Sequence, residues 1–422
     1  MSFLRNHSRL MSGKALRFMN KLYIIAYGCE PGQGSEAEVG WQSALEIRRQ
    51  GFDITVITRT ANAKRIIDTP EFDTSGIKFV FLENRFGLFF KHHGSFSYLY
   101  YFLWQFSVFR YLHKKVESSD IVHVLTFGNI QLPTFVQWLK GHLVLGPMGG
   151  GALINPDLMT APSLKRRLEC WLYRGAQGCF RFMPTKRALV RKADVILLRT
   201  EETRRLLPAF ALAKSVVMLE TGILPIDVPS ALPRGKLHRI ITVSRMIDSK
   251  NIDQLVAVYN ILRKQCPDVS ELIIVGDGPL LPRLKRQFAA VPGINFPGKI
   301  PHEQIGDLLK SADLFLFTSI KEGGSHALFE AALYRLPIAC YKVSGMTVFP
   351  PDGGAIKITP VPKKTSQNVE RLAAEIVRRF RDPEEIQQLT ERAYAEIERQ
   401  YYWDMKCRKY GEIYNQLGVF AE

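Results

Sequence analysis

The stretch HRIITVSRMIDSKNIDQLVAVYNILRKQCPDVSELIIVG, residues 238–276, carries the reading of the fold. Within it, HRIITVS (238–244) is a β-branched run of the size of a buried strand. NIDQLVAVYNILRKQ (251–265) is amphipathic at helical spacing, and ELIIVG (271–276) is a second apolar run. Strand, helix and strand in about forty residues make a parallel βαβ unit. The alternation continues through PLLPRLKRQFAAV (279–291), a short INF, PHEQIGDLLKSA (301–312), DLFLFTS (313–319) and HALFEAALYR (326–335). Beyond these, 366–417 reads as consecutive helices in which Tyr401, Tyr402, Trp403 and Tyr410 offer large apolar anchors.

Towards the N-terminus the same rhythm recurs. KLYIIAY (21–27), DITVIT (53–58), IKFVFL (77–82), DIVHVL (120–125), HLVLG (142–146) and DVILLR (194–199) read as buried strands, with helix-length stretches such as EAEVGWQSALEIRRQ (36–50) between several of them. After Thr221-Gly222, ILPIDVPSALPRGKL is proline-rich and lacks periodicity, as an interdomain linker should. With 422 residues the chain exceeds one ordinary core. The expected fold class is α/β, with a basic extension at 1–20, a doubly wound domain at 21–222, a second at 223–400, and a helix at 401–422 packing back on the first domain. Two such domains suggest a cleft, because open α/β sheets bind ligands beyond the carboxyl ends of their strands.

The six cysteines are scattered, without zinc-site or disulfide-framework spacing, which fits a reducing cytosol. Residues 1–20 are basic but lack the apolar core of a signal peptide, and no run of about eighteen apolar residues follows. A cytoplasmic location is expected. A net charge of +17 attracts phosphate-bearing partners, whether nucleic acid, anionic lipid or nucleoside diphosphate. Charge is dense in the opening segment and between 163 and 214, the latter a run that ordinarily marks a solvated helical face.

Four places could carry chemistry. The first strand runs into GCEPGQGSEAEVGW, where Gly34 and Ser35 precede a helix whose N-terminus could approach an anion. A nicotinamide fingerprint would need glycine where Ala37 stands, and the second strand ends in ITRT without a ribose-binding acid, which argues against a dehydrogenase. Arg245 and Lys250 follow the strand HRIITVS and make a candidate diphosphate clamp, a planar fork beside a mobile point charge. In EGGSHALFE, Glu322 sits in a glycine turn and Glu330 lies eight residues on, among apolar helix positions where an unpartnered carboxylate is costly to bury. Either could hold vicinal hydroxyls of a sugar or ribose.

Together, VSRMIDSKNIDQLV, LIIVGDGPLLPRL, FPGKIPHEQIGDLLKSADLFLFTS and EGGSHALFEAALYRLPIA resemble the retaining GT-B glycosyltransferases of family 4. In the first half, YGCEPGQGSEAEVGW, DIVHVLTFGN and GPMGGG are similar to motifs of a bacterial polysaccharide-assembly branch of that family. The resemblance spans roughly 21 to 410 and implies two facing Rossmann-like domains with a C-terminal helical segment. It implies that Arg245 and Lys250 bind the donor diphosphate, that Glu330 holds the ribose, and that Glu322 contacts the transferred sugar. Gly323, Gly324, Ser325, His326 and Leu328 would lie near that sugar. Lys299 and Ile300 would read the base with their main chain, and the turn Gly276-Asp277-Gly278 would lie near the nucleotide. Gly34 and Ser35 would approach the diphosphate from the opposite domain.

Two departures stand out: Gly323-Gly324-Ser325 replaces the frequent Gly-Phe-Gly, and His123-Val124-Leu125 keeps only the first histidine of a frequent His-x-His. His123 is either a sugar or acceptor contact with a catalytic part, or a buried structural residue. Fixed cations can stabilise the departing nucleotide without a metal. No Asp-x-Asp occurs, so neither divalent cation nor other cofactor is expected beyond the nucleotide-sugar co-substrate.

The acceptor implied is a glycan or lipid-linked saccharide. The aromatic stretch 86–113, flanked by Lys114 and Lys115, is either a core helix or a surface resting on an anionic membrane at the inner face of the cell. Three rivals remain: a GT-B-type sugar-nucleotide epimerase, a catalytically silent partner protein, and a basic nucleic-acid-binding protein. Glu322 and Glu330 would repel nucleic-acid phosphate, and no RNA-binding module is recognisable, so no nucleic-acid partner is expected.

Overall fold

Residues 20–32, 34–84, 97–132, 134–180, 182–227 and 236–420 are described by the computed structural model, with backbone alone for Gly34, Ser35, Ser97 and Phe180. Apart from Asn20, the basic extension lies outside the described residues, as do 86–96 of the aromatic stretch and 228–235 of the linker.

Strands β1 (Leu22–Ala26), β2 (Ile54–Arg59), β3 (Lys78–Leu82), β4 (Ile121–Thr126), β5 (His142–Met148), β6 (Val195–Leu198) and β7 (Ser215–Val217) form one sheet, ordered β3-β2-β1-β4-β5-β6-β7. Strands β8 (Arg239–Val243), β9 (Glu271–Val275), β10 (Ile294–Gly298), β11 (Leu314–Phe317), β12 (Ile338–Tyr341) and β13 (Ile356–Ile358) form the other, ordered β10-β9-β8-β11-β12-β13. Every pairing is parallel. Parallel sheets are covered on both faces, which is why β1 and β11 are buried at every position and read as continuous apolar runs.

The longer helices are α1 (Gly34–Arg49), α2 (Ser97–Leu112), α3 (Leu164–Phe180), α4 (Pro184–Lys192), α5 (Ile252–Gln265), α6 (His302–Ser311), α7 (His326–Leu333), α8 (Thr365–Phe380), α9 (Pro383–Gln400) and α10 (Trp403–Gln416). Each sheet has an apolar cluster on either face. The strand order reverses between β1 and β4 in the first sheet, and between β8 and β11 in the second. Ligand crevices belong at those two points, so the loops after β8 and β11 hold the residues of interest in the second lobe.

Three connections tie the lobes together. The chain crosses near 219–223 and again at 401–403, where Ile223 N–H donates to Tyr401 O at 2.9 Å and Trp403 N–H to Ile223 O at 3.3 Å. Gly222 is required at that crossing, because a Cβ there would lie 2.5 Å from the Trp403 ring. Helix α10 then packs on the first lobe, burying Trp403, Cys407, Tyr410 and Tyr414 with α1 and β1 residues. The third tie is the segment after β5: Leu158 is buried in the second lobe's core, and its carbonyl accepts from Gln254 Nε2 at 2.6 Å.

Two alternatives left open by the sequence narrow here. His123 lies in the middle of β4 with no exposure; Nδ1 meets Tyr414 Oη and Nε2 meets Gly146 O, each at 2.6 Å. Burial pulls its pKa down to about 4, so it stays neutral. With both ring nitrogens occupied, it ties α10 to β4 and touches no groove. The described part of the aromatic stretch is a core helix: Tyr100, Tyr101, Trp104, Val108 and Leu112 recur at helical spacing and are buried against the first sheet. Tyr100, Tyr101 and Trp104 face inward because that spacing places them on one stripe, whereas Tyr98 and Phe106 are exposed on the other side.

Candidate active site

In the second lobe, the chain leaves β8 at Ser244-Arg245, makes a tight turn over Asp248–Lys250, and enters α5 through Asn251 in the left-handed region, φ 55°. Asn251 tolerates that conformation better than most residues. The turn sits under Gly276-Asp277-Gly278: Met246 N–H donates to Asp277 O at 2.9 Å, and Leu280 N–H to Met246 O at 3.1 Å. A Cβ on Gly276 would lie 1.9 Å from Ser244 O, and Gly276 has φ 128°. These glycines therefore hold the Arg245 loop by close backbone approach. Gly276→Ala is expected to destabilise the second lobe by about 2–3 kcal/mol, read as a lowered melting temperature. An unchanged transition would mean the loop can retreat freely.

Lys250 and Glu322 are in direct ionic contact, both side chains largely buried. Glu322 Oε1 also lies 2.7 Å from Ser319 Oγ, and the Lys250 ammonium sits 5.1 Å from the Phe317 ring centroid. The Glu322 carbonyl accepts from Gly345 N–H at 3.1 Å and Ser344 Oγ at 2.7 Å. Glu322 is thus fixed at both ends. Arg245 is exposed at the carboxyl end of β8, with no ion pair among the described residues. An ammonium has three donors, and Lys250 uses one on Glu322.

Glu330 projects from α7 into a nearly dry position. His302, the first residue of α6, reaches it with Nε2 to Oε1 at 3.5 Å. Burial pushes the Glu330 carboxyl up to about 7, opposed by the His302 charge. Burial also pulls His326 down to about 4, with His302 adding to the effect. Lys299 is exposed and Ile300 half-buried in the connection from β10 to α6, just before His302. Leu328 is buried in the lobe's core, so only its main chain can serve a ligand.

The turn Gly323-Gly324-Ser325 presses against the first lobe. A Cβ on Gly323 would lie 3.3 Å from Glu220 Oε1 and 3.6 Å from Arg199 Cδ; one on Gly324 would lie 2.9 Å from Thr221 Oγ1. No bulky side chain fits at Gly324, which accounts for the departure from Gly-Phe-Gly. Arg199 itself contacts Glu220 ionically, reaches Glu36 at 3.6 Å, and donates from Nε to Pro147 O at 3.1 Å. Glu36 lies in the first turn of α1, directly after Gly34 and Ser35. One guanidinium therefore links the start of α1 to Glu220, beside the turn after β11.

Arg245, Lys250 and Glu322 lie on the loops after β8 and β11, and Glu330 lies on the helix that follows β11; His123 lies inside the first sheet. Sequence reasoning missed Arg199, Glu36, Glu220 and His302. Arg199 did have a signal, since it ends the strand run DVILLR as Arg245 follows HRIITVS.

Residues 227–396 match the family model of glycosyl transferases group 1. A human phosphatidylinositol N-acetylglucosaminyltransferase component is 24% identical over 211 residues, 49% of this chain and 42% of that protein. A Bacillus subtilis protein assigned to teichuronic acid biosynthesis as glycosyltransferase TuaC is 31% identical over 105 residues, 25% of each chain. The matches thus span less than half the length of these relatives. Among solved structures, Anabaena HepE in complex with UDP superposes with a TM-score of 0.60 at 14% identity, covering 94% of this chain and all of that one. The architecture is the GT-B fold.

Proposed function

We propose that this chain is a retaining glycosyltransferase of family 4 that moves a hexose from a nucleoside-diphosphate sugar to a glycan or lipid-linked saccharide. Its setting would be the assembly of cell-surface polysaccharide. The observation that carries this reading is the grouping of Arg245, Lys250 and Glu322 on the loops bordering the second lobe's strand reversal, with Glu330 on the helix that follows. The group 1 match over that lobe supports it, as does the UDP bound by a fold neighbour.

In the reaction, the bond from the sugar's C1 to the diphosphate oxygen breaks and one to the acceptor oxygen forms, with the acceptor's proton passing to the leaving phosphate. Negative charge grows on the leaving group, and Lys250, held by Glu322, together with the exposed Arg245 are the cations placed to meet it. They supply without a divalent metal what a metal would otherwise supply. Glu322 holds Lys250 in place and presents its second oxygen to the sugar hydroxyls, while Glu330 accepts from the ribose. Transfer is on the retained face.

A thermal-shift screen of nucleoside diphosphates and their sugars, followed by transfer to saccharide acceptors in chelator, tests the reading. One preferred nucleotide and acceptor-dependent transfer are expected. Conversion of the donor sugar without acceptor would make the protein an epimerase instead.

Glu330 gives the site a pH signature. Below about pH 7 the unliganded carboxyl keeps its proton, whereas ribose hydroxyls donate to the ionised form. Nucleotide affinity is therefore expected to rise from pH 6 to pH 8, by up to roughly tenfold per pH unit below the pKa. Glu330→Gln should flatten that slope, leaving only the phosphate's own titration. Identical slopes in calorimetric titrations of the two proteins would exclude Glu330 from the ribose.

A further inference from the structure

Helix α3 (Leu164–Phe180) lies against the body along a narrow seam. Cys170 and Gln177 are buried, Gln177 Nε2 donates to Gly150 O of the first lobe at 2.7 Å, and Arg166 pairs with Asp248 of the second lobe and with Glu169. At about 100° per residue, Leu164, Leu168, Trp171 and Leu172 form a stripe roughly 100° wide, centred opposite that seam. All four are exposed, Leu164 by 83% and Trp171 by 69%. An amphipathic helix normally turns its apolar stripe inward; this one turns it out.

Lys165 flanks the stripe on one side and, on the other, Arg167, paired with Asp157 at 3.0 Å, and Arg174, which reaches Asn155 Oδ1 at 3.3 Å; the helix's sole acid, Glu169, lies away from it on the Arg166 side. Beyond the helix, Phe182 is 77% exposed, and Arg187 and Arg191 of α4 lie over the exposed Phe210 ring. Apolar side chains between cations match the boundary of an anionic bilayer, where carbon enters the acyl region and each cation meets a phosphate. A second copy of the chain would set these cations against the same cations, with Asp157 and Glu169 the acids at hand, each already paired with an arginine. Among the described residues no helix is long and apolar enough to cross a membrane, so contact would be from one side.

We infer that the outward face of α3 docks this protein on an anionic lipid surface, with Leu164, Leu168, Trp171 and Leu172 below the headgroups and Lys165, Arg167 and Arg174 among the phosphates. This rests on the geometry of α3 and not on the proposed transfer reaction. The face belongs to a helix pinned to both lobes, so docking fixes the orientation of the junction relative to the bilayer.

Flotation with vesicles of phosphatidylglycerol and phosphatidylcholine, against phosphatidylcholine alone, tests it. The full chain is expected to float with the anionic vesicles at low salt and to be released as salt rises. Leu168→Glu with Trp171→Glu is expected to weaken flotation by roughly tenfold or more, with melting temperature and nucleotide binding unchanged. In a Trp138→Phe background, Trp171 is the remaining exposed tryptophan, and its emission should move to shorter wavelength on anionic vesicles. A wild-type chain that ignores anionic vesicles, or a double variant that floats as well as wild type, would overturn the inference. So would self-association abolished by the same substitutions without vesicle binding, which would make the face a dimer contact.

Discussion

Lys250→Ala is expected to lower kcat by roughly 10²–10³-fold, the loss that follows removal of one fixed group aimed at developing charge. Lys250 is held against Glu322 beneath the Phe317 ring, so little of its position has to be established during reaction. The leaving diphosphate carries more charge than the bound donor, so kcat should fall further than KM rises. Product nucleoside diphosphate should weaken more than donor sugar for the same reason. Lys250→Arg keeps the charge but not the point geometry and is expected to recover part of the rate. A Lys250→Ala protein with unchanged kcat would remove the ammonium from the leaving-group site.

The second large effect concerns stability. Arg199 sits among Glu36, Glu220 and the Pro147 carbonyl at the lobe junction, and Glu220 is largely buried. Removing a buried partner leaves its carboxylate uncompensated, typically at a cost of about 3–5 kcal/mol. Arg199→Ala is therefore expected to lower the melting temperature sharply and to loosen the turn at Gly323. Adding Glu220→Gln should restore part of that loss, because the two side chains share one interaction. Denaturation of the single and double variants measures this directly. A single variant within about 0.5 kcal/mol of wild type, like an ordinary surface change, would show that the guanidinium is not structural.

Much of this was legible in the sequence because periodicity and strand ends are local. The βα alternation of 238–335 marks out the second lobe, and Arg245, Lys250 and Glu322 stand out as candidates because each follows a strand run. The short strands β7, β12 and β13, three or four residues each, carry too little pattern to be read alone. His123 was ambiguous because alternation cannot distinguish a strand position facing a cleft from one under a helix 291 residues away. Leu158 in the second lobe's core was invisible for a similar reason: its partners, Asn251 and Gln254, lie far along the chain. The basic run 163–214 was read as a solvated face, which describes its cations but missed the apolar stripe between them. Only the seam, set by Arg166, Cys170 and Gln177, shows which side of that helix faces out.

The most direct test is a crystal structure with the nucleoside diphosphate that the thermal screen selects. The pyrophosphate is expected within hydrogen-bond distance of Arg245 and Lys250, with the ribose hydroxyls on Glu330 and the base beside Lys299 and Ile300. A nucleotide seated elsewhere, for example in the cavity of about 580 Å³ between the start of α3 and α5, would contradict the assignment.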